Sequence, residues 1–349
     1  MKNILITGGA GFIGSHTCLN FLEKGFNIYI ADSFINSSKK VFERLKKIID
    51  VYGCYDQNKI NIFEGDIRDY KFLDNIFLEA LKKNEAIDGV IHFAGLKAVA
   101  ESTFNPLKYW DVNVNGSINL FKVMKKNNCK TILFSSSATV YGNSSEIPFK
   151  ESHLLKPTNP YGHTKVTIEK ILNSIYDSDN QSWRICNLRY FNPIGAHPSG
   201  LIGEQPNSNP QNIFPIILQV AAGLRKKLFI YGNDWPTPDG TCRRDYIHIF
   251  DLSQAHMKAM EYMLKEKSCY LTLNVGTGKS ISVLKLIKTF EKVNNLKINF
   301  EFINRRDGDV ANSFADTSQL IKKLNWTPNK SLEDMCKDGW KWQKTLINL

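Results

Sequence analysis

Short apolar runs alternate with stretches of helical periodicity through the first half of the chain. The runs are NILIT, NIYIA, KINIFEG, GVIHFAG and TILFSSS, and their apolar, β-branched composition predicts strands. Between them, SHTCLNFLEKG, DNIFLEALKKN and SINLFKVMKKN carry their apolar residues on one helical face. The stretch SWRICNLRYF at 182–191 adds a further strand. This alternation predicts an α/β fold with a parallel sheet covered by helices on both faces.

The pattern changes after Phe191. Residues 192–212 collect proline, glycine, serine and asparagine, which is typical of a loop or a domain boundary. Beyond them, the pattern predicts a helix near 213–224, the strand KLFIYG, a helix from Asp251 to about Lys265, the strand YLTLNVG and three C-terminal helices. We therefore predict two domains, residues 1–191 and residues 192–349, with later segments near 245–265 packing back on the first.

The composition narrows the classes of ligand. The chain has 349 residues, 42% of them apolar, which is ordinary for a globular protein, and a formal net charge of +11. That charge favours anionic ligands, although such a total more often reflects a solvated surface. Basic clusters such as KKVFERLKK fit helix faces, and no repeated alternation of aromatic and basic residues marks a stacking platform for nucleic acid. We therefore expect no nucleic-acid partner.

The cysteines and apolar runs bear on the compartment. The seven cysteines lie far apart, without a CxxC pair, so the sequence predicts neither a disulfide framework nor a metal site and favours a reducing cytosol. The N-terminal apolar run breaks into glycines too early for a signal peptide. No apolar stretch of 18 residues exists for a membrane span, so we expect a cytoplasmic protein without a membrane partner.

A glycine-rich string follows the first predicted strand. In ILITGGAGFIGSHTC, Gly8, Gly11 and Gly14 lead from the strand into the first helix, where glycines allow a tight turn and helix N–H groups can bind a pyrophosphate. Asp32 ends the second strand 18 residues after Gly14. A carboxylate there can bind ribose hydroxyls and would repel a 2′-phosphate, so we predict NAD rather than NADP.

A second glycine string resembles a phosphate-binding loop only in part. VGTGKS at 275–280 copies the end of GxxxxGK[ST], but Leu273 stands where that motif needs glycine. We interpret this segment as a loop after a strand, in which Ser280 or Ser282 caps the helix VLKLIKTFEKV.

PYGHTK at 160–165 places a tyrosine four residues before a lysine. The spacing alone means little, because Tyr55 and Lys59 share it in a segment that reads as a turn before a strand. Tyr161 and Lys165 differ in context, since the preceding Asn-Pro pair favours a helix start.

The same helical face continues beyond this pair. Ile168 and Leu172 follow at helical steps, so Tyr161 and Lys165 belong to a stripe that also carries apolar residues. A buried tyrosine and a lysine with its amine at the surface could serve structure alone.

A catalytic role for Tyr161 requires an ionised phenol. With an ordinary pKa of about 10, only about one phenol in a thousand is ionised at pH 7. The Lys165 cation, an oxidised nicotinamide and the helix N-terminus would each lower that pKa. In FSSSATVYG, Ser137 and Thr139 could orient an alcohol or relay its proton, although serines at strand ends are commonly turn residues. We therefore predict an alcohol oxidation by hydride transfer, with Tyr161 as the general base.

The motifs together resemble the extended short-chain dehydrogenase/reductase family, and within it the enzymes that invert C4 of UDP-hexoses. The likeness runs from residue 2 to the last helix and rests on TGGAGFIGSHT, GDIRD, HFAGLKAVAES, SSSATVYG, PYGHTK, LRYFNPIGAHPSG, GND, RDYIH and RRDGD. It implies a Rossmann-type doubly wound sheet for NAD and a smaller C-terminal α/β domain for a UDP-sugar. It also implies interconversion of UDP-glucose and UDP-galactose through a 4-keto intermediate, and a homodimer built from helices near 107–127 and 160–176.

The resemblance implies which residues hold NAD. Asp66 and Ile67 would flank the adenine, and Lys165 would also hold the nicotinamide ribose. Phe12 replaces a frequent tyrosine, which should matter little because the backbone does the binding. The full cofactor set would be Gly8, Gly11, Phe12, Ile13, Gly14, Asp32, Ser33, Asn36, Ser37, Asp66, Ile67, Phe93, Ala94, Gly95, Lys97, Tyr161, Lys165, Tyr190 and Phe191.

The resemblance also implies a substrate site. Its arginines would anchor a diphosphate, as guanidinium groups commonly do. Ser313 would lie near the sugar, where a small residue implies room for an N-acetyl group, so UDP-N-acetylglucosamine and UDP-N-acetylgalactosamine could also be substrates. The full set would be Lys97, Ser137, Thr139, Tyr161, Asn192, Asn212, Ile213, Ile230, Tyr231, Arg244, Arg306, Asp309 and Ser313.

Three alternatives stay open at this point. A sugar 4,6-dehydratase shares the fold and the keto intermediate but carries an Asp-Glu pair where this chain has Ala138, Thr139 and Val140. A UDP-glucuronate 4-epimerase differs only in the sugar. A catalytically silent NAD-binding regulator would not need the Tyr161/Lys165 pair, the serine-rich strand end and the arginines together.

Overall fold

The computed structural model describes residues 2–52, 59–205, 210–306 and 308–347. They form two compact units that are interleaved along the chain. The first unit consists of Met1–Gly142, Pro157–Arg189 and Ser253–Leu273, and the second of Asn143–Lys156, Tyr190–Leu252 and Asn274–Leu349. The chain passes between the two units five times. The sequence-based prediction placed a division at Phe191, with later segments near 245–265 packing back on the first domain, and did not include the passage of 143–156 into the second unit.

A seven-stranded sheet lies at the centre of the first unit. Its strands are β1 (Asn3–Thr7), β2 (Asn27–Asp32), β3 (Ile60–Glu64), β4 (Gly89–His92), β5 (Thr131–Ser137), β6 (Arg184–Tyr190) and β11 (Cys269–Val275). They follow the order β11-β6-β5-β4-β1-β2-β3, and the β1–β2, β1–β4, β2–β3 and β4–β5 pairs are parallel. The order 3-2-1-4-5-6 is that of a doubly wound nucleotide-binding sheet, so the predicted fold class is confirmed.

Helices connect these strands. They are α1 (Phe12–Glu23), α2 (Lys40–Tyr52), α3 (Tyr70–Lys82), α4 (Val99–Phe104), α5 (Pro106–Tyr109), α6 (Gly116–Lys126) and α7 (Pro160–Ser178). A π-helical segment, Trp110–Asn115, joins α5 to α6, and a 3₁₀ helix, Ala138–Tyr141, follows β5. Helix α9 (Ile249–Lys265) begins in the second unit and ends in the first.

The packing of the sheet explains why its strands read as continuous apolar runs. All residues of β1, β2 and β4 are buried, because helices cover both faces of a parallel sheet. Leu73 on α3, Leu120 on α6 and Leu172 on α7 are fully buried in one hydrophobic cluster with strand residues. The amphipathic faces predicted for these helices are thus the faces that pack on the sheet.

The second unit contains three small sheets. Strands β7 (Asn192–Ile194) and β10 (Tyr246–His248) pair in parallel, as do β8 (Leu228–Tyr231) and β13 (Phe300–Ile303). Strand β9 (Arg243–Arg244) lies between β12 (Ile281–Ser282) and β14 (Asn312–Ser313). The helices are α8 (Ile213–Ala221), α10 (Val283–Asn294), α11 (Ser318–Leu324) and α12 (Leu332–Ile347). Phe214 of α8 and Phe290 of α10 pack edge to face in the core of this unit.

The predicted elements are present, with ends shifted by a few residues. The prediction of 192–212 as loop is wrong at its start, because β7 forms there and pairs with β10. Strands of two or three residues carry no periodicity, so the sequence did not predict them. Residues 206–209 of that segment lie outside the described residues, as does Tyr55 of the Tyr55/Lys59 comparison.

Candidate active site

The glycine turn after β1 is built as the sequence predicted. Gly8 has a φ of +73°, which favours glycine, and its N–H donates to Ala31 O at 2.7 Å. A Cβ on Gly8 would lie 2.7 Å from Ala94 N, and a Cβ on Gly14 would lie 2.3 Å from Gly8 O. Any larger residue at either position would push the turn apart.

The turn leads directly into the N-terminus of α1. Gly11 occupies the cap position and has no side chain with which to cap the helix, and the first turn contains no acidic residue. The N–H groups of Phe12 and Ile13 at this end can therefore meet an external anion, and the helix dipole favours negative charge there. This arrangement fits the pyrophosphate of a dinucleotide.

Asp32 stands at the end of β2 beside the glycine turn. It is 8% exposed, and its carboxylate accepts hydrogen bonds from Ala10 N, Phe34 N and Ser37 Oγ, each at 2.9 Å. An ionised carboxylate has about four lone-pair sites, so capacity for a ribose hydroxyl remains. Ser33 and Asn36 lie in the same exposed loop. The predicted NAD contacts at these positions stay predictions.

Asp66 follows β3 and is held by Arg68. The guanidinium contacts Asp66 at 2.6 Å and Asp111 at 2.7 Å. The hydrogen bonds from Arg68 hold the pKa of Asp66 below its usual range. The side chain of Ile67 is 5% exposed and belongs to the hydrophobic core, so only a small part of it could face an adenine.

A buried histidine organises the end of β4. The Nδ1 atom of His92 lies 2.7 Å from Thr7 Oγ1, and its Nε2 atom lies 2.9 Å from Ser117 Oγ. Since Ser117 Oγ donates to Asn113 O, it can accept from a protonated Nε2, which leaves Nδ1 to accept from Thr7. Burial lowers the pKa of His92 to about 3, with a smaller contribution from Lys165, so this histidine is neutral.

The predicted cofactor loop from Phe93 to Lys97 is tied to this network. Asn113 accepts from Leu96 N at 2.8 Å and donates to Leu96 O at 3.1 Å and to Thr164 Oγ1 at 3.1 Å. A Cβ on Gly95 would lie 3.0 Å from Asn113 Oδ1, so a glycine allows this close approach. The π-helical segment that contains Asn113 thereby connects the loop after β4 to helix α7. Within the loop, the Phe93 ring lies against His256, with ring centroids 4.9 Å apart and planes tilted by 56°.

Helix α7 begins as predicted. Asn159 Oδ1 accepts a hydrogen bond from Gly162 N at 2.9 Å, and Pro160 occupies the first turn. A Cβ on Gly162 would lie 2.8 Å from Pro157 Cβ and 3.2 Å from Thr139 O, so the glycine lets the helix start lie against the end of β5.

The hydroxyls at the end of β5 form a chain that ends at Tyr161. Thr139 Oγ1 donates to Ser137 Oγ at 3.0 Å, and Ser137 is hydrogen-bonded to the Tyr161 hydroxyl. The three residues predicted as a catalytic group are therefore in direct contact. This chain can pass a proton between Tyr161 and a group beside Thr139.

Lys165 lies deeper than Tyr161. It is 5% exposed, its Nζ donates to Ser135 O at 2.6 Å, and it lies 5.7 Å from the centre of the Tyr161 ring. The stripe continues as predicted, with Ile168 and Leu172 buried. The ammonium group of Lys165 therefore lies over the face of the Tyr161 ring.

The electrostatics of this pair differ from the sequence-based expectation in one respect. Burial raises the pKa of Tyr161 to about 12, and only the hydrogen bond from Ser137 acts in the opposite direction. Burial also lowers the pKa of Lys165 to about 8, while Glu169 opposes that effect. The described protein groups thus do not ionise Tyr161 by themselves, and a further cation beside the phenol would be required.

The predicted arginines form a cluster in the second unit. Asp309 accepts from Arg306 at 2.9 Å and lies 3.4 Å from Arg244. Arg244 also donates to Val310 O at 2.8 Å, and Arg306 lies over the Tyr231 ring at 5.3 Å. Two guanidinium groups share one carboxylate, which leaves an excess of positive charge that suits a diphosphate.

Asp245 explains the P-loop-like string at 275–280. Its buried carboxylate accepts from Thr277 N at 2.7 Å, Gly278 N at 3.0 Å and Ala315 N at 3.2 Å. The loop N–H groups therefore bind a carboxylate of the protein itself rather than a phosphate. Asp245 N also donates to Ser313 O at 3.0 Å, which fixes β14 beside Arg244.

The remaining predicted substrate residues differ in exposure. The N–H of Asn192 donates to Asp245 O at 2.9 Å. Asn212 precedes α8 and does not cap the helix through its side chain, so its side-chain amide can meet a ligand beside Ile213. The side chain of Ile230 is 2% exposed and lies in the core, so any substrate contact there would use its backbone. Tyr190 and Phe191, predicted for NAD, are also largely buried.

Several residues that shape these sites were not predicted from the sequence. They are His92, Asn113, Glu169, Arg189 and Asp245, all buried and polar. The signal available for His92 was a histidine at the end of an apolar strand. For Glu169 it was the helical spacing from Lys165. Neither signal identifies a partner, because the partners lie far away along the chain.

Two properties concern the described part of the chain as a whole. None of its helices has the length and apolar character needed to cross a membrane. Residues 2–52, 59–205, 210–306 and 308–347 contain no group of three or more His, Cys, Asp or Glu side chains that could hold a metal ion.

Comparisons with known proteins bear on both sites. The model of the GDP-mannose 4,6 dehydratase family matches residues 5–339. The chain is 46% identical over 345 residues to the UDP-glucose 4-epimerase of Bacillus subtilis, and the match covers 99% of this chain and 98% of that protein.

Two solved structures are also similar. The UDP-glucose 4-epimerase of Stenotrophomonas maltophila, with bound NAD and formylated UDP-arabinopyranose, is 42% identical with a TM-score of 0.93, over 100% of this chain and 99% of that chain. The UDP-glucose 4-epimerase of Bifidobacterium longum, in complex with NAD⁺ and UDP, is 41% identical with a TM-score of 0.90, over 99% of both chains.

Proposed function

The chain belongs to the family of UDP-glucose 4-epimerases, within the extended short-chain dehydrogenases/reductases, and we propose that it is an NAD-dependent isomerase that interconverts UDP-glucose and UDP-galactose. The observation that carries the proposal is the hydroxyl chain from Thr139 through Ser137 to Tyr161, beside the buried Lys165. This chain supplies a base for a sugar hydroxyl and a route for its proton.

The first unit would hold NAD. Gly8, Gly11 and Gly14 would admit the pyrophosphate to the N-terminus of α1, and Asp32 would bind the ribose hydroxyls. Bound NAD would supply the acceptor for the hydrogen that leaves C4, and its positive charge would favour ionisation of the nearby phenol. The fit rests on the crowded glycine turn and on a helix end without a cap.

Tyr161 would remove the proton of the C4 hydroxyl as general base and return it at the end of the cycle. Ser137 would donate to Tyr161 in its ionised form, which stabilises the phenolate, and Thr139 would keep Ser137 in that orientation. The substrate would pass through a 4-keto sugar, and inversion at C4 requires that the sugar present its other face before the hydrogen returns.

The second unit would hold the UDP moiety. Arg244 and Arg306 carry two positive charges against the single carboxylate of Asp309, and Tyr231 lies beneath the Arg306 guanidinium. A diphosphate held there would leave the sugar free to turn, because the strong contacts act on the nucleotide and not on the hexose.

A 4,6-dehydratase is the second candidate, since the matching family model carries that description. Removal of water from C5 and C6 requires an acid and a base beside the sugar. In the 3₁₀ helix after β5, where a dehydratase would carry this acid and base, the residues are Ala138, Thr139 and Val140. None of these side chains can act as a general acid or base at neutral pH. We therefore favour epimerisation.

We further propose that N-acetylated UDP-hexoses are substrates, because Ser313 is a small residue in register with Arg244 on the neighbouring strand.

We also propose a homodimer built on helices near 107–127 and 160–176, where Leu107 and Trp110 are exposed apolar side chains. Six cysteines in the described ranges are free thiols, which accords with the proposed reducing cytosol.

The experiment is a conversion assay with the NAD-loaded protein. UDP-galactose, UDP-N-acetylglucosamine and UDP-glucuronate are each incubated with it, and the products are separated by chromatography. We expect UDP-glucose from the first and UDP-N-acetylgalactosamine from the second. A 4-keto-6-deoxy product would indicate the dehydratase, and the absence of conversion of all three with NAD bound would refute the proposal.

A further inference from the structure

A buried ion pair lies one helical turn beyond Lys165. Glu169 and Arg189 have side chains that are 6% and 5% exposed, and their contact is bidentate, with Arg189 Nε to Glu169 Oε1 at 3.0 Å and Nη2 to Oε2 at 2.7 Å. The third guanidinium nitrogen donates to the Tyr141 hydroxyl at 3.0 Å. Burial of an ion pair costs desolvation free energy that an apolar contact would not cost. Its presence beside Tyr161 and Lys165 therefore suggests a functional role.

The pair is connected to the end of β5 through a serine. Ser136 Oγ donates to Glu169 Oε1 at 2.5 Å, while the preceding residue, Ser135, accepts from Lys165 through its carbonyl. The next residue, Ser137, contacts Tyr161. Three consecutive serines thus bind three positions of α7 spaced four residues apart.

The charges around Lys165 make Glu169 important. The titratable groups that face this part of α7 are His92 on β4, Tyr109 on α5, Tyr141 on the 3₁₀ helix, Tyr161 and Glu169 on α7 itself, Arg189 on β6 and Tyr270 on β11. Burial lowers the pKa of His92 to about 3 and raises the pKa values of Tyr161 and Tyr270 to about 12. Burial also raises the pKa of Tyr109. The charges that face Lys165 are therefore those of the Glu169–Arg189 ion pair.

We propose that Glu169 is a positioning residue for the proposed epimerase reaction: held by Arg189 and Ser136, its carboxylate keeps Lys165 a cation in the buried site where that cation acts on Tyr161 and on the cofactor. The role rests on the proposed function of the site. Both carboxylate oxygens of Glu169 accept hydrogen bonds from Arg189, and one of them also accepts from Ser136. These contacts hold Glu169 away from a direct ion pair with Lys165. Lys165 therefore keeps its contact with Ser135 O.

The expected effect follows from the spacing. Side chains four residues apart on a helix are neighbours with Cβ atoms roughly 5–6 Å apart, and two unit charges at about this separation shift a pKa by about two units at an effective dielectric constant of about 20. In Glu169→Gln, the negative charge that attracts Lys165 is lost, while the Arg189 cation that repels it remains. Both the lost attraction and the remaining repulsion lower the pKa of Lys165. In the double variant with Arg189→Met, the repulsion is also removed, and the fall in the Lys165 pKa is smaller.

The experiment measures the ionisation of Lys165 directly. NAD-loaded protein is labelled with [ε-¹³C]lysine, the Lys165 resonance is identified by its loss in Lys165→Met, and its midpoint is followed by NMR between about pH 6 and pH 11. We expect the midpoint to fall by more than about one pH unit in Glu169→Gln and by less in the double variant. The alkaline limb of the kcat profile should move in step, while KM for the UDP-sugar stays constant.

Leu172→Ala is the matched control, because Leu172 is a fully buried apolar residue on the same helix and its truncation lowers stability without changing a charge. Its Lys165 midpoint should stay at the wild-type value. If Glu169→Gln alone does not fold, the double variant, in which Arg189 no longer remains as a cation without its partner, must still titrate below wild type. An unchanged midpoint in the folded Glu169 variants, or an equal fall in Leu172→Ala, would overturn the proposal. Since the midpoint is read without turnover, an inactive wild type would refute the epimerase function separately.

Discussion

The neutral, buried His92 makes the first unit sensitive to acid. Histidine ordinarily titrates near 6.5, and burial lowers the pKa of His92 to about 3. Between these pH values, His92 is protonated in the unfolded chain and remains neutral in the folded chain. Stability contributed by this group is therefore present above about pH 6.5 and is lost as the pH falls towards 3.

The size of the loss in unfolding free energy follows from the pH interval over which His92 is protonated only in the unfolded chain. From pH 6.5 to pH 4.5 the loss is about 1.4 kcal/mol per pH unit, or roughly 3 kcal/mol in the free energy of unfolding. Carboxylates also titrate in this range, so the contribution of His92 is isolated by comparing variants. His92→Gln removes the titrating ring and keeps groups that can bond to Thr7 and Ser117.

The assay is urea denaturation at pH 7.0 and at pH 4.5, followed by circular dichroism. We expect the loss of unfolding free energy between the two pH values to be about 3 kcal/mol smaller in His92→Gln than in wild type. His163→Gln is the control, because His163 is exposed on α7, and it should lose as much as wild type. Equal losses in His92→Gln and wild type would refute the claim that His92 is buried in a neutral state.

Three further predictions concern the sites. Tyr161→Phe should keep NAD but lose about 10²-fold or more in rate, and near-normal turnover in a conversion assay would remove Tyr161 from the mechanism. Gly14→Ala places a Cβ 2.3 Å from Gly8 O, and a strain of about 1–3 kcal/mol should weaken NAD binding roughly 5- to 150-fold by calorimetry; unchanged affinity would argue against the glycine turn as the pyrophosphate site. Ser313→Tyr should reduce turnover of UDP-N-acetylglucosamine more than that of UDP-glucose, and an equal loss of both would contradict the proposed role of Ser313.

The sequence predicted best what depends on local pattern. The buried strands appear as apolar runs, and the capped start of α7 follows from Asn159 and Pro160, because both signals involve residues close along the chain. The contact of Ser137 with Tyr161 also follows, since a strand end and a helix start in a doubly wound sheet meet at the same edge.

What depends on distant partners was not predictable in the same way. Glu169 and Arg189 are 20 residues apart, and nothing in either segment identifies the other. The π-helical segment Trp110–Asn115 shows no break in helical periodicity, although it positions Asn113 against the loop after β4. The passage of 143–156 into the second unit was not predicted either, because this segment leaves the unit of the residues on both sides of it, and that depends on packing with residues far along the chain.

The expected ionisation of Tyr161 shows a similar limit. The spacing to Lys165 predicts an electrostatic effect on the phenol, but it does not show that Lys165 Nζ donates to Ser135 O. Burial, which raises the pKa of Tyr161 to about 12, follows from tertiary packing alone. The sequence therefore predicted that the two side chains lie close together, whereas the burial that opposes ionisation of Tyr161 is visible only in the structure.

In the proposed reaction, C4 of the sugar is oxidised reversibly, and the hydrogen removed from C4 is not lost to water. The direct test is proton NMR of UDP-galactose incubated in D₂O with the NAD-loaded protein. We expect UDP-glucose with hydrogen retained at C4, because that hydrogen leaves and returns without exchange with water while Tyr161 transfers only the hydroxyl proton. No UDP-glucose with NAD bound, or UDP-glucose with deuterium at C4, would contradict it.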